Sequence, residues 1–355
     1  MSSVRDIDVD RGREVADVLA GVYGLSVRRL RPGPDGTHTR NYLADAHDGS
    51  VWFVKTYPGA DRAELDRQRA AVALAAFAAN GNVPVPVVLP AENGELLHTS
   101  PPDPAMSVWE HVGAVETAEG GLSGGRWEAV GQVVGRLHHH LARHPVAVPG
   151  RVPGNRLRDL DRARHRLQAL AAAYTTRPHA DGFMGWARQA IEERLTWWPT
   201  LARLLDGVPP LTVQVVHGDL ASPNLLLDGD RVAGIIDFSP PTPRPAAWEL
   251  ARIGCDPRTV LACEDWPHGV ARLVAAYRHA YPAVPAAELV ACVRVGLVYS
   301  ATSSYPLAEP LVNPTAVTSS LQTYARARHR AAELMLERLA EAEAVLRMET
   351  GEMPR

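Results

Sequence analysis

The sequence predicts an α+β fold of two lobes, a small β-rich one followed by a larger, mainly helical one. Three observations carry this expectation. Upstream of about residue 113, short apolar runs alternate with Gly, Asn and Asp turns. Downstream, apolar residues recur at helical spacing. Within that helical part, the strand-like runs "TVQVV", "NLLLD" and "RVAGIID" bracket a single polar knot. The expected division is residues 1–107 for the first lobe, 108–113 for a hinge and 114–355 for the second lobe.

Taken in order, residues 1–24 read as a helix, "GREVADVLAGVYG", closed by Gly24. "LSVRRLRP" reads as a strand, and the turn-rich "GPDGTHTRN" separates it from "YLADAH". The Asp48-Gly49 turn returns the chain into "SVWFVKTYP", where Val51, Phe53 and Lys55 alternate with Trp52 and Val54. Residues 61–81 form an alanine-rich helix closed by Asn80-Gly81. "AMSVWEHVG", 105–113, is one more strand, and the Gly-rich "EGGLSGG" at 119–125 loosens the chain after it. Residues 126–144, about 156–173 and 183–205 read as helices. The Pro-rich 239–247 is a short structured loop, helices resume from about 246, and the last covers 316–347.

Composition excludes several classes. Hydrophobic residues make up 46% and charged residues 22%, an ordinary globular balance. A net charge of -3 gives no electrostatic footprint for nucleic acid. No apolar run approaches the ~18 residues of a membrane span, and the acidic, core-less start is no secretory signal. Cys255, Cys263 and Cys292 fit no zinc or CxxC spacing, so they read as core fillers in a reducing cytoplasm. "LHHHLARH", 137–144, lacks the glutamate and third ligand of a metal motif and reads as an ordinary helix, as the spacing of 183–205 makes Trp197 and Trp198 core. Of the 37 Lys and Arg residues, Lys55 alone is lysine. In a chain that otherwise uses arginine, a compact ammonium on a strand suggests a point charge for a phosphate.

The knot "VVHGDLASPNLLLDGDRVAGIIDF" supplies the chemistry. The Asp228-Gly229 turn lets Asp237 return beside Asn224. Magnesium takes hard oxygen ligands, so Asn224 and Asp237 with substrate phosphates make a site, and Asp219 stays free to orient a hydroxyl. Phosphoryl transfer needs that division of positioning, charge neutralisation and nucleophile alignment.

H-G-D-x-x-x-x-N followed by I-I-D-F resembles the aminoglycoside phosphotransferase and choline kinase family, relatives of the protein kinases, over about residues 20–340. Gly218 and Ser239 stand where the protein-kinase pattern has Arg and Gly. The resemblance implies a bilobal protein-kinase-like fold, a Mg2+ cofactor and ATP or GTP as phosphate donor. It makes Asp219 the catalytic residue, Asn224 and Asp237 the metal ligands, and Lys55 the partner of the α/β-phosphates. His217 would brace the catalytic loop, and Glu249 stands where an aspartate often buttresses it. Backbone groups of Glu110 and Val112 would meet the adenine edge. The phosphate loop lacks G-x-G-x-x-G, leaving Gly36, Thr37 and Thr39 as its candidates. Glu64 or Gln68, one turn apart on the same helix, would pair with Lys55, Glu64 being favoured.

The acceptor is expected to be a hydroxyl-bearing small molecule, an antibiotic such as an aminoglycoside, a nucleoside or another sugar-containing compound. The alternatives are a choline, homoserine or amino-alcohol metabolite, or nucleotide binding without transfer. Asp219, Arg244, Tyr305 and Glu309 are candidate acceptor contacts, drawn from segments 151–205, 239–247 and 300–315, with Asp256, Glu264 and Asp265 as further wall residues. The 151–170 stretch carries six arginines against Asp159 and Asp161, 239–247 has Arg244 and no acid, and 300–315 has only Glu309, against a strongly anionic cleft for a polycation. The expected partners are nucleotide and acceptor, without nucleic acid or membrane, in a monomer or homodimer.

Overall fold

The computed structural model describes residues 4–34, 36, 39–148, 150–176 and 182–352, with the side chains of 4–10 set aside. The first lobe is built on one five-stranded antiparallel sheet. Helix α1 (Val4–Tyr23) precedes β1 (Val27–Pro32), β2 (Arg40–Ala46) and β3 (Val51–Thr56). Helix α2 (Arg62–Ala79) then leads to β4 (Val88–Leu89) and β5 (Met106–Glu110), giving the order β1-β2-β3-β5-β4. Val15, Val18 and Leu19 of α1 bury against Val54, Met106 and Val108, closing one face of the sheet. Lys55 lies in the middle strand, opposite Asn41 on one side and Ser107 on the other. Asp61 caps α2 by accepting the Glu64 N–H at 2.8 Å.

After β6 (Glu116–Thr117) comes α3 (Arg126–Leu141), then β7 (Gly150–Val152), α4 (Leu160–Thr175), α5 (Phe183–Thr196) and α6 (Trp198–Asp206). The strand insert follows as β8 (Leu211–Val215), β9 (Leu225–Asp228), β10 (Arg231–Ile235) and β11 (Pro243–Pro245). The chain ends in helices α7 (Ala246–Gly254), α8 (Pro257–Ala262), α9 (Trp266–Ala280), α10 (Ala286–Val290), α11 (Cys292–Thr302), α12 (Glu309–Val312), α13 (Ser319–Glu337) and α14 (Leu339–Thr350). Helices α3 and α9 pack so closely that a Cβ on Gly135 would fall 2.7 Å from the Tyr277 carbonyl oxygen. One large core joins these helices to the strand insert. Among the described residues no helix is long and apolar enough to cross a membrane.

Several expected elements break where the sequence reads as continuous. The stretch 183–205 is two helices, because Pro199 lacks an N–H and its ring would meet the carbonyl of Leu195 in an unbroken helix. The stretch 316–347 also divides, at Arg338, whose guanidinium donates to the Glu264 carbonyl at 2.7 Å. No proline or glycine marks that break. The strand expected over 105–113 stops at Glu110, and the 239–247 loop contains edge strand β11, paired with β8. Its two prolines are tolerated because the strand is an edge.

Candidate active site

The polar knot folds as a hydrogen-bonded loop leaving β8. His217 is fully buried, and burial holds its imidazole below the ordinary value, hence neutral. Its Nδ1 accepts the Asp219 N–H at 3.2 Å, so the proton sits on Nε2, which donates to the Ile236 carbonyl at 2.9 Å. The Ser239 N–H closes back on the His217 carbonyl at 3.0 Å, and the Ile236 N–H on that of Asn224 at 3.1 Å. These bonds bring the end of β10 beside the loop. Between them Gly218 adopts φ 90°, and a Cβ there would lie 2.7 Å from Ser239 Cβ. The arginine of the protein-kinase pattern does not fit that position.

Glu249, fully buried in α7, holds this loop from beneath. Its carboxylate accepts the His217 N–H at 2.8 Å and the Gly218 N–H at 2.7 Å. His138 Nε2 of α3 donates to the same group at 3.0 Å, while the Tyr277 hydroxyl of α9 donates to His138 Nδ1 at 2.9 Å. Burial pushes the Glu249 carboxyl up, but these donors overcome it and hold the group below its ordinary value. "LHHHLARH" is helical through Leu141, as expected, yet His138 is a buried member of the catalytic-loop scaffold. The sequence carried no signal separating it from its neighbours.

Asn224 donates its Nδ2 to the Asp219 carbonyl at 2.8 Å, which fixes the amide and leaves Oδ1 as its acceptor end. Asp237 adopts φ 62°, unusual for a residue other than glycine, and its carboxylate is ion-paired with Lys55 Nζ from β3. Burial pulls the Lys55 ammonium down to about 8, and the adjoining Asp237 carboxylate works against that pull. An amide oxygen and a carboxylate are hard donors of the kind Mg2+ accepts, so this pair fits the ion. The Asp219 carboxylate is engaged by Arg252, its Oδ1 accepting from the guanidinium at 2.6 Å.

The structure does not bring Glu64 to Lys55. Glu64 sits in the first turn of α2, where Arg67 and Gln68 capture its carboxylate, Gln68 at 2.6 Å. Glu64, Gln68, Gly36, Thr39 and Tyr57 instead line a cleft of about 490 Å³ between the β1–β2 loop and α2. Thr37 lies outside the described residues. The Glu110 N–H, expected at an adenine edge, is instead engaged by the Val87 carbonyl at 2.8 Å. Val112 is half-buried, and its backbone has no hydrogen-bond partner among the described residues.

A second cleft, of about 210 Å³, opens beside the Asp219 loop. Trp248, Arg252 and Asp256 line it from α7 and the following turn, Tyr299 from α11, and Tyr324 and Arg328 from α13. Segment 300–315 contributes Ser300, Ser303 and Tyr305, whereas 151–205 and 239–247 contribute no lining residue. Arg244 stacks over Trp248 at 4.9 Å but lies outside the lining, as do Glu309, Glu264 and Asp265. Sequence reasoning missed Arg252 and the whole α13 wall. Arg252 lies one turn beyond Glu249 and was legible in principle. Tyr324 and Arg328 reach the cleft only through tertiary packing.

The sequence pattern described as "APH: Phosphotransferase enzyme family" matches residues 29–290. Homoserine kinase of Zymomonas mobilis is 24% identical over 261 residues, covering 71% of this chain and 68% of that protein. In three dimensions the chain is similar to an AMP-bound spectinomycin phosphotransferase, with TM-score 0.65, 14% identity and coverage of 91% and 98% of the two chains. An aminoglycoside phosphotransferase from Alicyclobacillus acidocaldarius gives TM-score 0.58 at 16% identity, covering 93% and 95%. An amicoumacin kinase in complex with AMP-PNP and Ca2+ gives 0.59 at 14%, covering 93% and 96%. These likenesses carry the protein-kinase-like fold, and with the family pattern spanning both lobes from β1 to α10, the chain belongs to the APH phosphotransferase family, kinases that phosphorylate a hydroxyl acceptor.

Proposed function

We propose that the protein transfers the γ-phosphoryl group of ATP or GTP to a hydroxyl of a small molecule, with Mg2+ as cofactor. The observation that carries this reading is the ion pair between Lys55, from the first lobe, and Asp237, just past β10 of the strand insert in the second. Asn224 lies in the loop that this insert closes, its amide donating to the Asp219 backbone carbonyl at 2.8 Å. In this reading the lobes divide at 108–113, Lys55 holds the α/β-phosphates, and Asn224 and Asp237 hold the metal, which offsets phosphate charge when bound. Val112 N–H and the Glu110 carbonyl take the adenine edge, with Gly36, Thr37 and Thr39 at the phosphates. Asp219 accepts the acceptor hydroxyl's hydrogen bond through its second oxygen, while Arg252 holds the carboxylate in place. His217 and Glu249 fix the loop so that this geometry needs no rearrangement during transfer.

Two of the structural neighbours are named for antibiotics, spectinomycin and amicoumacin, and they favour an antibiotic acceptor. A second reading, a metabolic alcohol, is supported by the homoserine kinase likeness and the modest size of the cleft beside Asp219. The free thiols of Cys255, Cys263 and Cys292 suit a cytoplasmic setting. The test is a nucleotide-turnover screen with ATP and GTP across antibiotics and small hydroxyl metabolites, repeated with Asp219→Ala. Transfer should vanish in the variant while nucleotide affinity changes little. Surviving transfer refutes the role of Asp219, and a wild type inert toward every acceptor favours nucleotide binding without chemistry.

A further inference from the structure

The cleft beside Asp219 is walled by aromatic rings and guanidinium groups. Trp248, Tyr299, Tyr305 and Tyr324 supply the rings. Arg252 and Arg258 lie against two of them, 5.2 Å over Trp248 and 4.7 Å over Tyr324, and Arg158 lies 5.1 Å over Tyr299. Among the carboxylates nearby, Asp219, Asp256 and Glu119 are already engaged, while Glu309 acts on Tyr305 from outside the lining. Asp219 is held by Arg252 at 2.6 Å. Asp256 accepts from Ser222 Oγ at 3.0 Å and the Arg258 N–H at 2.9 Å, and Glu119 takes the Arg258 guanidinium at 2.7 Å.

Two arginines are left over. Arg328 lines the cleft, has a buried Nε with no hydrogen-bond partner, and makes only a long 3.5 Å contact to the Tyr324 hydroxyl. Arg158 donates to Thr302 through Nε at 3.0 Å, and it meets no carboxylate among the described residues. Burial pulls the Arg158 guanidinium below its ordinary value, and the positive charges of Arg166 and Arg328 add to that pull against the opposing effects of Tyr299 and Asp159. Like charges gathered at a part-buried wall, one with an orphaned donor, are unfavourable unless something anionic joins them.

We propose that the acceptor alcohol carries a carboxylate, which sits on Arg328 with Arg158 behind it, while the rest of the molecule lies along the aromatic wall and presents its hydroxyl to Asp219. This rests on the kinase reading for the hydroxyl, but the anion site itself does not. A guanidinium fork matches the two oxygens of a carboxylate. A cleft of about 210 Å³ admits a small acid more readily than an extended polycation.

Benzoate, benzamide, benzylamine and phenyl phosphate form a matched probe set, measured by ligand-observed NMR on the full chain with ADP and Mg2+ present. Benzoate should bind at least about tenfold more tightly than benzamide, one charge-assisted contact being worth that factor. Arg328→Gln should remove the preference, Arg158→Gln should weaken it, and Arg328→Lys should restore part of it. Equal binding of benzoate and benzamide, tighter binding of benzylamine or phenyl phosphate, no detectable benzoate binding, or a preference unchanged in Arg328→Gln would each overturn the proposal. A second arm offers 4-(hydroxymethyl)benzoate and its amide as phosphate acceptors with Mg-ATP. Transfer to the acid over the amide supports the carboxylate, and transfer to the amide alone overturns it. Selective benzoate binding without transfer to either overturns the placement of the acceptor hydroxyl at Asp219 and leaves the anion site standing.

Discussion

Replacing Glu249 by Gln removes a charge and swaps one carboxylate oxygen for an N–H donor. Each oxygen now has a backbone donor, His217 N–H on one and Gly218 N–H on the other. Whichever way the amide turns, one of these N–H groups faces another donor and is orphaned in a fully buried position. An orphaned buried donor costs about 1–3 kcal/mol, and the surviving bonds lose their charge assistance, so the loss should total about 2–4 kcal/mol. Urea unfolding followed by helical circular dichroism should show a lower midpoint at unchanged slope. Turnover should fall as well, because the same bonds fix Asp219. The effect carries a pH signature. The Glu249 carboxyl is held below its ordinary 4.5 in the folded protein, so its stabilisation is present above pH 4.5 and fades as pH falls through the lower folded value. The gap between wild type and variant should therefore shrink in acid. A loss under about 0.5 kcal/mol at neutral pH, within the range of ordinary surface changes, with normal turnover, would refute this account of the loop.

Two further outcomes follow from the geometry. Burial pulls the Lys55 ammonium down to about 8 against the opposing Asp237 carboxylate, so nucleotide kcat/KM should decline as pH rises above that value. The folded value lies below the ordinary 10.5, so stability should rise with pH between the two, and Lys55→Met should abolish turnover while removing that rise. An unchanged rise in the variant would assign it to another group. Gly218→Ala forces a Cβ against Ser239 at φ 90°, which should destabilise by about 2–4 kcal/mol and stop turnover. Wild-type melting and rates in that variant would mean the loop conformation is not needed.

The fold class was legible because lobe composition and the strand insert are local properties of the chain. Asp219, Asn224 and Asp237 stood out as candidates because they flank one hairpin, and Lys55 because it is the single exception to a chain-wide use of arginine. The Lys55 partner was misread since helix spacing places Glu64 on a plausible face but says nothing of Arg67 and Gln68 competing for it. His138, Arg252 and Arg328 act through neighbours 111, 33 and 4 positions away, of which the Arg252 contact to Asp219 and the His138 contact to Glu249 exist only after folding. The split at Arg338 was invisible for the same reason, being anchored on Glu264 rather than on a local breaker.

Lys55 is the one side-chain amine in the chain, and it keeps 22% of its side chain exposed beside Asp237. An acylating reagent therefore meets two amines at most, this one and the α-amino group. Burial leaves a larger share of Lys55 uncharged near neutrality than an ordinary lysine would have, which makes it the better nucleophile. The acyl mass that disappears in Lys55→Met, the α-amino group accounting for the remainder, reads the accessibility of Lys55 on the intact chain. Shielding by nucleotide can be titrated without digestion or peptide mapping.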